Sequence, residues 1–455
     1  MAAGCGARWG PNRDPSLAYE APGAQSEQSG QGPGSEGALP GEQDVLAGDS
    51  LAMSSDGSPA RSVPGAAGSA GQVKGSSSKT TSTSATDAGP RPGVSDTEIT
   101  LCYLVPLTGA APIPTTWDKG ANSYWDYLRK HGGVHGRNVK LLVKDTESDP
   151  AKGLASARDC INEKAFAFVT LDRYQVENAI AKFLNEQGYP IILINTPATP
   201  AMEKGSDQVN SFAVSVGHRD QSVMIAEYLT GGDLAGKKIG VVWENVPDLR
   251  PLVDAVEDQL ARRGVKPVAD EAIDAQGNDY SSSILKLKRS DAQVVWMFTS
   301  VTPMVKFAQQ SFAVAYTPIW FGNAPTWAFN AAAQIGNANG AMAGARAFSP
   351  WVALSNPAAD TYKAAYRELY PNETPDDIGL VAWGFGEIMH AVLQSAGRNL
   401  GHNTFRAAFQ NLDVVPKTWA PQRFGTGVRV GSCSVTEFRI DGDHFDQVGD
   451  FRTSF

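Results

Sequence analysis

The stretch Gly132–Cys160, GGVHGRNVKLLVKDTESDPAKGLASARDC, decides the fold of this chain. Two glycines turn the chain, and the aliphatic run NVKLLVKD that follows them is typical of a strand. A charged corner closed by Asp-Pro comes next, and the helical pattern after it carries Pro150 in its first turn, where proline is tolerated. The corner holds no side chains arranged for catalysis, so the stretch predicts architecture rather than chemistry.

The same alternation of strand and helix continues on both sides of this stretch. EITLCYLVPL, which begins at Glu98, is a continuous apolar run suited to a strand buried on both faces. The alternation runs on to YPIILIN, restarts at KKIGVVWEN and continues to YTPIWFG, and the end of the chain resembles an antiparallel strand pair around DGDH. The pattern therefore predicts an α/β fold of two doubly wound parallel-sheet lobes.

Composition separates the folded part from a long N-terminal region. Residues 1 to about 95 consist mainly of Gly, Ser, Ala, Pro, Thr and Gln, and such a segment cannot bury enough apolar surface to offset its chain entropy. We expect a disordered tether there, with the fold beginning near Thr97. The formal charge of −9 argues against a nucleic acid partner. No apolar run reaches the length of about 18 residues that a membrane span requires.

The four cysteines carry separate expectations. The start MAAGCGARWG resembles a bacterial lipobox in which Cys5 would be the lipid anchor, but the four residues before it cannot supply the basic start and apolar core of a signal peptide. Either the leader lies upstream of this start or the match is chance. Because a long Ser/Gly-rich tether follows directly, we expect Cys5 to be the anchor. Cys102 lies in the first predicted strand, and Cys160 lies in the helix that crosses back over that strand. We hypothesise a disulfide between these two and expect Cys433 to be free.

A search for motifs that carry chemistry finds none of the familiar ones. The chain contains no G-x-S-x-G elbow, C-x-x-C pair or H-E-x-x-H motif, and its six histidines are scattered. We therefore expect no catalytic residue, no metal and no cofactor. An α/β enzyme would need a titratable cluster at the strand ends, and Asp172, Arg173 and Glu244 are the suggestive charges near those positions.

Two corners of the predicted lobes share a Thr-Pro sequence. Thr199-Pro200 follows the buried run PIILIN, and Thr302-Pro303 follows the buried run VVWMF. In each, Thr would be the N-cap and Pro the first helical residue. A helix N-terminus at the carboxyl end of a parallel strand suits an anionic group, so one such corner per lobe fits a cleft that grips a ligand from both sides. Plain helix capping explains the same pattern without a ligand, and the spacing does not choose between the two.

Several segments, in order along residues 97–455, resemble the leucine/isoleucine/valine-binding family of ABC importers, which are type I periplasmic binding proteins. LVPLTGA is similar to the family's first strand and Ser/Thr-Gly loop, and the opening stretch is similar to its glycine turn, second strand, Asp-Pro corner and helix. NTPATPAME resembles the ligand loop after the fourth strand. NDYSSSILKLKRSDAQVVWM resembles the family's D-[FY]-[ST] helix and the strand that follows it. Each fragment alone is weak, and their shared order carries the resemblance.

The resemblance implies two lobes joined by three crossovers, which we expect near Val214–Gly217, Ala347–Trp351 and Asp413–Val415. The opening corner then belongs to the scaffold, with Asp145 ending the strand and Asp149 capping the helix. The implied boundaries are 1–96 for the anchor and tether, 97–216 and 349–413 for the first lobe, and 217–348 and 414–455 for the second lobe.

The family's ligand positions transfer unevenly to this sequence. Pro197, Ala198 and Thr199 match the loop that holds the ligand carboxylate. Val301 stands where the family usually has an aromatic lid, and Ala324 stands where its acidic residue holds the ligand ammonium. The expected aromatic neighbours of the cleft are Tyr174, Trp243 and Trp327. A buried ammonium without a carboxylate partner is costly, so we expect a carboxylate or another small polar-apolar metabolite rather than free leucine, isoleucine or valine.

The function that the resemblance implies is that of an extracytoplasmic solute-binding protein. It would capture a small amino-acid-like or carboxylate metabolite in an interlobe cleft by hinge closure and deliver it to the transmembrane subunits of an ABC permease. We expect a monomer without a nucleic acid partner, either periplasmic or attached to the outer face of the cytoplasmic membrane as a lipoprotein. The alternative is a ligand-sensing receptor or regulator domain on the same fold, which a fused kinase, DNA-binding or transmembrane segment would favour.

Overall fold

The structure, a computed structural model, describes residues 87–109, 116–194, 208–246, 249–322, 330, 333, 336, 337 and 339–455, without the side chains of His218 and Arg219. Most of the expected tether, and with it Cys5, lies outside the described residues. The strands in the described part are β1 Glu98–Val105, β2 Asn138–Asp145, β3 Ala167–Thr170, β4 Ile191–Leu193, β5 Ser211–Val216, β6 Ile239–Glu244, β7 Ala269–Ile273, β8 Val294–Phe298, β9 Ile319–Gly322, β10 Arg346–Ser349, β11 Asp413–Val414, β12 Gln422–Arg423, β13 Val430–Ser432, β14 Val435–Asp441 and β15 His444–Arg452. The α-helices there are α1 Thr116–Lys130, α2 Pro150–Asn162, α3 Tyr174–Glu186, α4 His218–Thr230, α5 Arg250–Arg262, α6 Ser281–Arg289, α7 Val301–Ala313, α8 Asp360–Leu369, α9 Asp377–Ala396 and α10 His402–Gln410. Of these helices, none is both long enough and apolar enough to cross a membrane.

Two large sheets organise the fold, one in each lobe. The first lobe has the strand order β13-β5-β4-β3-β1-β2, and all of its strand pairs are parallel. The second lobe has the order β15-β14-β10-β9-β8-β6-β7, in which β14 runs antiparallel to both of its neighbours. The chain order reverses around β1 in one sheet and around β6 in the other, as in doubly wound folds. The predicted fold class is confirmed.

Helices cover both faces of the first sheet, which explains its continuous apolar strands. Seven of the eight residues of β1 are buried, from Ile99 onwards. One face of the sheet packs against α2 and α3, around Cys102, Leu104 and Ile180. The other face packs against α1 and α9. A strand between two helical layers has no polar face, so the period-two alternation of a half-exposed strand is absent from its sequence.

The helices α1 and α9 lie side by side, run in the same direction and leave little room between them. A methyl group at Gly120 would lie 2.1 Å from the carbonyl oxygen of Gly379, and one at Gly386 would lie 2.4 Å from the ring of Tyr124. Because α1 follows β1, it begins at the carboxyl ends of the parallel strands. The N-terminus of α9 therefore lies at the same end of the first lobe.

A disulfide joins β1 to α2 in the core of the first lobe. Cys102 and Cys160 are both fully buried, and their Cα atoms are 6.1 Å apart. This pairing was the one expected from the position of Cys160 on the helix that crosses back over the first strand, and it is confirmed. Cys433 was expected to be free, and that expectation is wrong because Cys433 is also disulfide-bonded.

The chain passes between the two sheets for the third time later than expected. The short strand β13 pairs in parallel with β5 of the first sheet, whereas β14 pairs with β10 of the second. The third passage therefore lies between Ser432 and Val435, and the expected crossover at Asp413–Val415 is wrong. That position belongs instead to the small β11–β12 hairpin, which an ion pair between Asp413 and Arg423 also connects. The segment 414–455 consequently contributes strands to both sheets.

Candidate functional site

The carboxyl ends of the parallel strands form the candidate site, because ligands of doubly wound sheets bind outside those ends. The corner between β2 and α2 lies there and is built by two aspartates. Asp149 is the N-cap of α2 and accepts hydrogen bonds from the backbone N–H groups of Ala151 and Lys152, at 2.8 and 3.0 Å. Asp145 is the last residue of β2. Both structural roles expected for this corner are confirmed.

Asp145 also organises the loop that follows β1. Its carboxylate accepts hydrogen bonds from the backbone N–H of Leu107 at 2.9 Å, from the backbone N–H of Thr108 at 3.2 Å and from the Thr108 hydroxyl at 2.6 Å. Burial alone would raise the pKa of Asp145, but these hydrogen bonds and one from the backbone of Glu147 hold the pKa below its ordinary value. The carboxylate therefore stays ionised and fixes the first loop of the site.

The loop after β3 is anchored by Asp172, which is 3% exposed. The hydroxyl of Thr146 donates a short hydrogen bond to its Oδ2, and the backbone N–H of Arg173 donates to its Oδ1 at 2.7 Å. The backbone N–H of Asp172 in turn donates to Glu177 in α3. Burial raises the pKa of Asp172 to about 6, although these hydrogen bonds oppose the rise. Asp172 thus ties the β2 corner to the start of α3.

Glu244, the last residue of β6, faces the first lobe and carries a charge that is almost fully buried. It is 4% exposed, and the backbone N–H of Ser300 donates to its Oε1 at 2.5 Å. The Ser300 hydroxyl donates a second, short hydrogen bond to the same oxygen. The other carboxylate oxygen, Oε2, lies 3.8 Å from Nη2 of Arg173 in the first lobe. An ion pair therefore joins the strand ends of the two lobes.

Of the aromatic residues predicted to line the cleft, Tyr174 and Trp243 are described, and both are buried. Tyr174 is the first residue of α3, and its ring lies edge-on to that of Phe298 at a centroid distance of 6.2 Å. It therefore joins the apolar cluster of the second lobe, to which Trp243 also belongs. The indole N–H of Trp243 donates to Asp270 at 2.8 Å, and the guanidinium of Arg250 lies over its ring. Trp243 thus packs within the second lobe, whereas Tyr174 reaches it from the first.

The corner after β8 begins its helix earlier than the sequence predicted. Ser300 is the N-cap of α7 and Val301 is the first helical residue, so Thr302 and Pro303 fall inside the first turn. The prediction of Thr302 as N-cap is wrong. The Glu244 carboxylate holds the Ser300 backbone N–H, and proline at the third helical position loses nothing because that N–H has no partner within a helix. The anion at this helix N-terminus is a side chain of the protein itself.

The remaining predicted ligand residues lie outside the described part of the chain. They are Pro197, Ala198, Thr199, Ala324 and Trp327. The described residues therefore bring together Tyr174 and Trp243 in one apolar cluster, and Arg173 and Glu244 in one ion pair. Val301 is half-buried and follows directly after the serine that binds Glu244.

A second polar contact between the lobes was not predicted from the sequence. Asp377, the first residue of α9, is 5% exposed, and its Oδ2 accepts a hydrogen bond from the backbone N–H of Asn330 at 2.5 Å. The side-chain oxygen of Asn330 accepts from the backbone N–H of Phe445 in β15, which places Asn330 in the second lobe. Burial raises the pKa of Asp377 to about 7. An Asp-Asp pair before an apolar helix predicts only an N-cap, which Asp376 is, and no local pattern indicates the contact of Asp377 with Asn330.

This arrangement is suited to closing around a small molecule. The carboxylates at the strand ends, those of half-buried Asp145 and of buried Asp172 and Glu244, each accept hydrogen bonds from nearby backbone N–H groups and hydroxyls. Such bonds hold loops in place and leave these groups less available for proton transfer. Within the described ranges, no group of three His, Cys, Asp or Glu residues could hold a metal ion.

Comparison with known proteins gives one family match that covers most of the chain. The sequence model of the family described as "Periplasmic binding protein" matches residues 98–442. Leu/Ile/Val-binding protein homolog 3 of Brucella melitensis is 25% identical over 202 residues, which are 44% of this chain and 54% of that protein. An amino acid binding protein of Pseudomonas aeruginosa is 25% identical over 201 residues, which are 44% of this chain and 53% of that protein. The chain spans about half the length of the curated relatives it matches.

Solved structures share the fold over more of the chain. A fatty acid ABC transporter substrate-binding protein from Thermomonospora curvata aligns with a TM-score of 0.69 and 18% identity, over 81% of this chain and 95% of its own. A branched-chain amino acid transporter substrate binding protein from Streptococcus pneumoniae, in complex with isoleucine, aligns with a TM-score of 0.65 and 18% identity, over 77% of this chain and 99% of its own. An ABC transporter solute binding protein from R. palustris, in complex with benzoate, aligns with a TM-score of 0.65 and 19% identity, over 77% of this chain and 96% of its own. At these identities the likeness concerns the fold alone.

Proposed function

Because the chain belongs to the periplasmic binding protein family, we propose that it is the extracytoplasmic solute-binding protein of an ABC importer. It captures a small amino-acid-like or carboxylate metabolite between its two lobes by hinge closure, leaves the solute chemically unchanged, and delivers it to the transmembrane subunits of a permease. The likeness to proteins named for amino acids, a fatty acid and benzoate supports this range of solutes.

The observation that carries the proposal is the meeting of the two lobes at their strand ends. Arg173 of the first lobe faces Glu244 of the second, and Asp377 of the first faces Asn330 of the second. A hinge-bending protein must make such contacts when it closes and lose them when it opens. The short passages between the sheets, at Gly217 and between Ser432 and Val435, are where we expect the hinge to bend.

We propose that the solute is held by the loops that follow the strands of both lobes. Its anionic group lies at Pro197, Ala198 and Thr199. The rest of the solute lies among the other predicted ligand residues, which are Tyr174, Val301, Ala324, Trp243 and Trp327. Of these residues, Trp243 has the least support as a ligand contact, since its indole N–H donates a hydrogen bond to Asp270 within the second lobe. These assignments rest on the family resemblance of the loops.

We also propose that the protein works outside the cytoplasm as a monomer. Attachment to the membrane through a lipidated Cys5 is an alternative to a disulfide between Cys5 and Cys433, because the lipid occupies the sulfur that such a bond would need. The disulfide between Cys102 and Cys160 supports an oxidising compartment, because structural disulfides persist in exported proteins and are rare in the cytosol. Fractionation of the native host into soluble and membrane fractions tests the anchor. The Cys5→Ala variant should move from the membrane fraction to the soluble one, and an unchanged membrane fraction would remove Cys5 from the proposal.

A binding screen on the full chain tests the function. The panel contains benzoate, branched-chain and straight-chain fatty acids, and the common amino acids, and the readout is the rise of the thermal unfolding temperature with solute concentration. We expect saturable stabilisation by members of one chemical class and recovery of the solute unchanged. Conversion of the solute into a product would contradict the proposal, and so would a folded protein that responds to no member of the panel.

A further inference from the structure

In addition to the Asp377–Asn330 contact, the first and second lobes meet through a compact group of side chains at the ends of β3, β6 and β8. Arg173 and Tyr174 come from the loop and helix that follow β3. Glu244 ends β6, and Phe298 ends β8. The ion pair Arg173–Glu244 and the ring contact Tyr174–Phe298 are therefore adjacent contacts at one edge of the cleft, one polar and one apolar.

The Glu244 carboxylate and the backbone of Arg173 are each held in place by their own lobe. The Glu244 carboxylate is fixed through Oε1 by the backbone N–H and hydroxyl of Ser300 at the start of α7, which leaves Oε2 directed at Arg173. The backbone of Arg173 is fixed by Asp172, which Thr146 and α3 hold in turn. The two charges therefore approach each other whenever the lobes close, and no rearrangement of either loop is needed.

The burial of Glu244 makes its partner important. In the closed arrangement the Glu244 side chain is 5% exposed and that of Arg173 is 25% exposed. A carboxylate removed from water in this way strongly disfavours the closed form unless a cation lies nearby. Arg173 supplies that cation from the opposite lobe, so the charge pair and the separation of the lobes are coupled.

We propose that Arg173 and Glu244 form a latch across the cleft that, with the Tyr174 ring packed on Phe298, keeps the lobes closed in the absence of solute. A solute then binds a protein whose closed form is already populated, and the latch sets how large that population is. The inference rests on the hinge motion of the proposed function, but it requires no particular solute.

The distance between the lobes can be measured without any solute. Spin labels at Glu186→Cys, near the end of α3, and at Arg289→Cys, near the end of α6, report hinge opening by double electron–electron resonance, because both helices run away from the cleft. The full chain with only the labels should show mainly the short distance. Glu244→Gln, which keeps an oxygen for Ser300 and removes the charge, should raise the fraction at the long distance about fivefold or more. Arg173→Gln should do the same.

Three comparisons separate a latch from a general loss of structure. Arg173→Lys keeps the cation and should restore much of the short-distance population. Asp291→Asn removes the ion pair of Lys238 and Asp291, which has a shorter separation of 3.1 Å but lies near the amino ends of β6 and β8, away from the cleft, and should leave the distances unchanged. At about 1 M salt the screening length falls to about 3 Å. The fraction at the long distance should therefore rise more in the labelled chain than in its labelled Glu244→Gln variant, which has no ion pair to screen.

The possible results distinguish this inference from the proposed function. A labelled chain that is already open without solute would overturn the latch, and so would unchanged distances in Glu244→Gln and Arg173→Gln. If instead these variants open the lobes while the binding screen finds no solute, the latch stands and the proposed function fails. If a solute binds and the variants leave the distances unchanged, the proposed function stands and the latch is wrong.

Discussion

Asp377 is a buried carboxyl group at the boundary of the two lobes, and its environment favours the neutral form. Burial raises its pKa from 3.8 to about 7, and the neighbouring carboxylate of Asp376 adds to the rise, while the hydrogen bond from the Asn330 backbone opposes it. The folded protein therefore binds a proton at Asp377 over a pH range in which the unfolded chain has already lost it. By linkage, the contribution of Asp377 to the free energy of unfolding falls as pH rises from about 4 to about 7.

Replacing this carboxyl group with an amide should remove that pH dependence. Asp377→Asn keeps an oxygen for the Asn330 N–H and cannot ionise. We expect the free energy of unfolding of the native sequence to fall, relative to that of the variant, by about 2–3 kcal/mol between pH 5 and pH 8. Urea unfolding at both pH values measures it. The difference between the two proteins cancels the contributions of half-buried His390 and buried His402, whose pKa values are lowered by burial. A difference that does not change with pH would contradict the raised pKa.

Thr199 is the residue on which the proposed anion site depends most directly. If its hydroxyl donates to a carboxylate of the solute, Thr199→Ala removes a charge-assisted hydrogen bond and should weaken binding by about 1.5–3 kcal/mol. Calorimetry with whichever solute the screen identifies measures the change. Thr302→Ala is the matched control, since Thr302 lies inside the first turn of α7 and not at its cap, and it should leave the affinity nearly unchanged.

At the residue scale, the sequence predicts contacts between neighbours in the chain better than contacts between distant segments. Asp149 as the cap of α2 was predictable because its partners, Ala151 and Lys152, are two and three residues away. Ser300 as the cap of α7 was not, because its position is decided by Glu244, which lies 56 residues earlier. The local sequence instead favours Thr302 as the N-cap and Pro303 as the first helical residue, and no local feature argues against that prediction.

The disulfide between Cys102 and Cys160 cross-links β1 to α2 within the first lobe. Its cysteines are 58 residues apart, and closing a loop of that length restricts the unfolded chain. We expect the double variant Cys102→Ala/Cys160→Ala to lose about 2–5 kcal/mol of unfolding free energy. Urea unfolding should also show a steeper dependence on denaturant, because the unfolded variant is more expanded. An unchanged slope together with a loss below about 1 kcal/mol would mean that the bond adds little to stability.

The close approach of α1 and α9 depends on glycine. In Gly120→Ala the new methyl group would meet the Gly379 carbonyl oxygen at 2.1 Å, so the two helices must separate. Overpacking of this kind costs about 1–3 kcal/mol, which exceeds the gain of about 1 kcal/mol from replacing glycine in a helix. Thermal unfolding should therefore show a lower midpoint for Gly120→Ala. Arg129→Ala on the exposed end of the same helix is the control, and stabilisation of Gly120→Ala would show that the helices are not in contact there.

At the element scale, long periodic segments were predictable and short strands were not. The apolar runs of β1 and β8 and the helix pattern after Asp149 are strong enough to identify from the sequence. The strand β13 has three residues, and its membership of the first sheet follows only from its pairing with β5, more than 200 residues earlier in the chain. Without that pairing, the third passage between the lobes could not be located from the pattern of residues 413–434.

For the whole molecule, the charges at the cleft bear on which solutes it accepts. The family resemblance places Ala324 where an acidic residue would hold a ligand ammonium. The acids that the structure describes near the strand ends already have partners in the protein, since Glu244 bonds to Ser300 and faces Arg173, and Asp172 bonds to Thr146. A solute ammonium would therefore have to compete with these contacts, and burying it without a carboxylate costs several kcal/mol.

A matched pair of solutes tests this conclusion for the whole protein. Isoleucine and 3-methylpentanoate share a carboxylate and a branched apolar body, and they differ by the ammonium group alone. We expect the full chain to bind 3-methylpentanoate more tightly than isoleucine, and to bind leucine, isoleucine and valine no better than at millimolar concentration, as measured by calorimetry. Micromolar binding of any of these three amino acids would show that an acid of the cleft accepts an ammonium after all. In that event Glu244→Gln identifies the acid, because it removes the carboxylate opposite Arg173 and should weaken binding of the amino acid by a larger factor than binding of 3-methylpentanoate, which loses affinity only through the opening of the lobes.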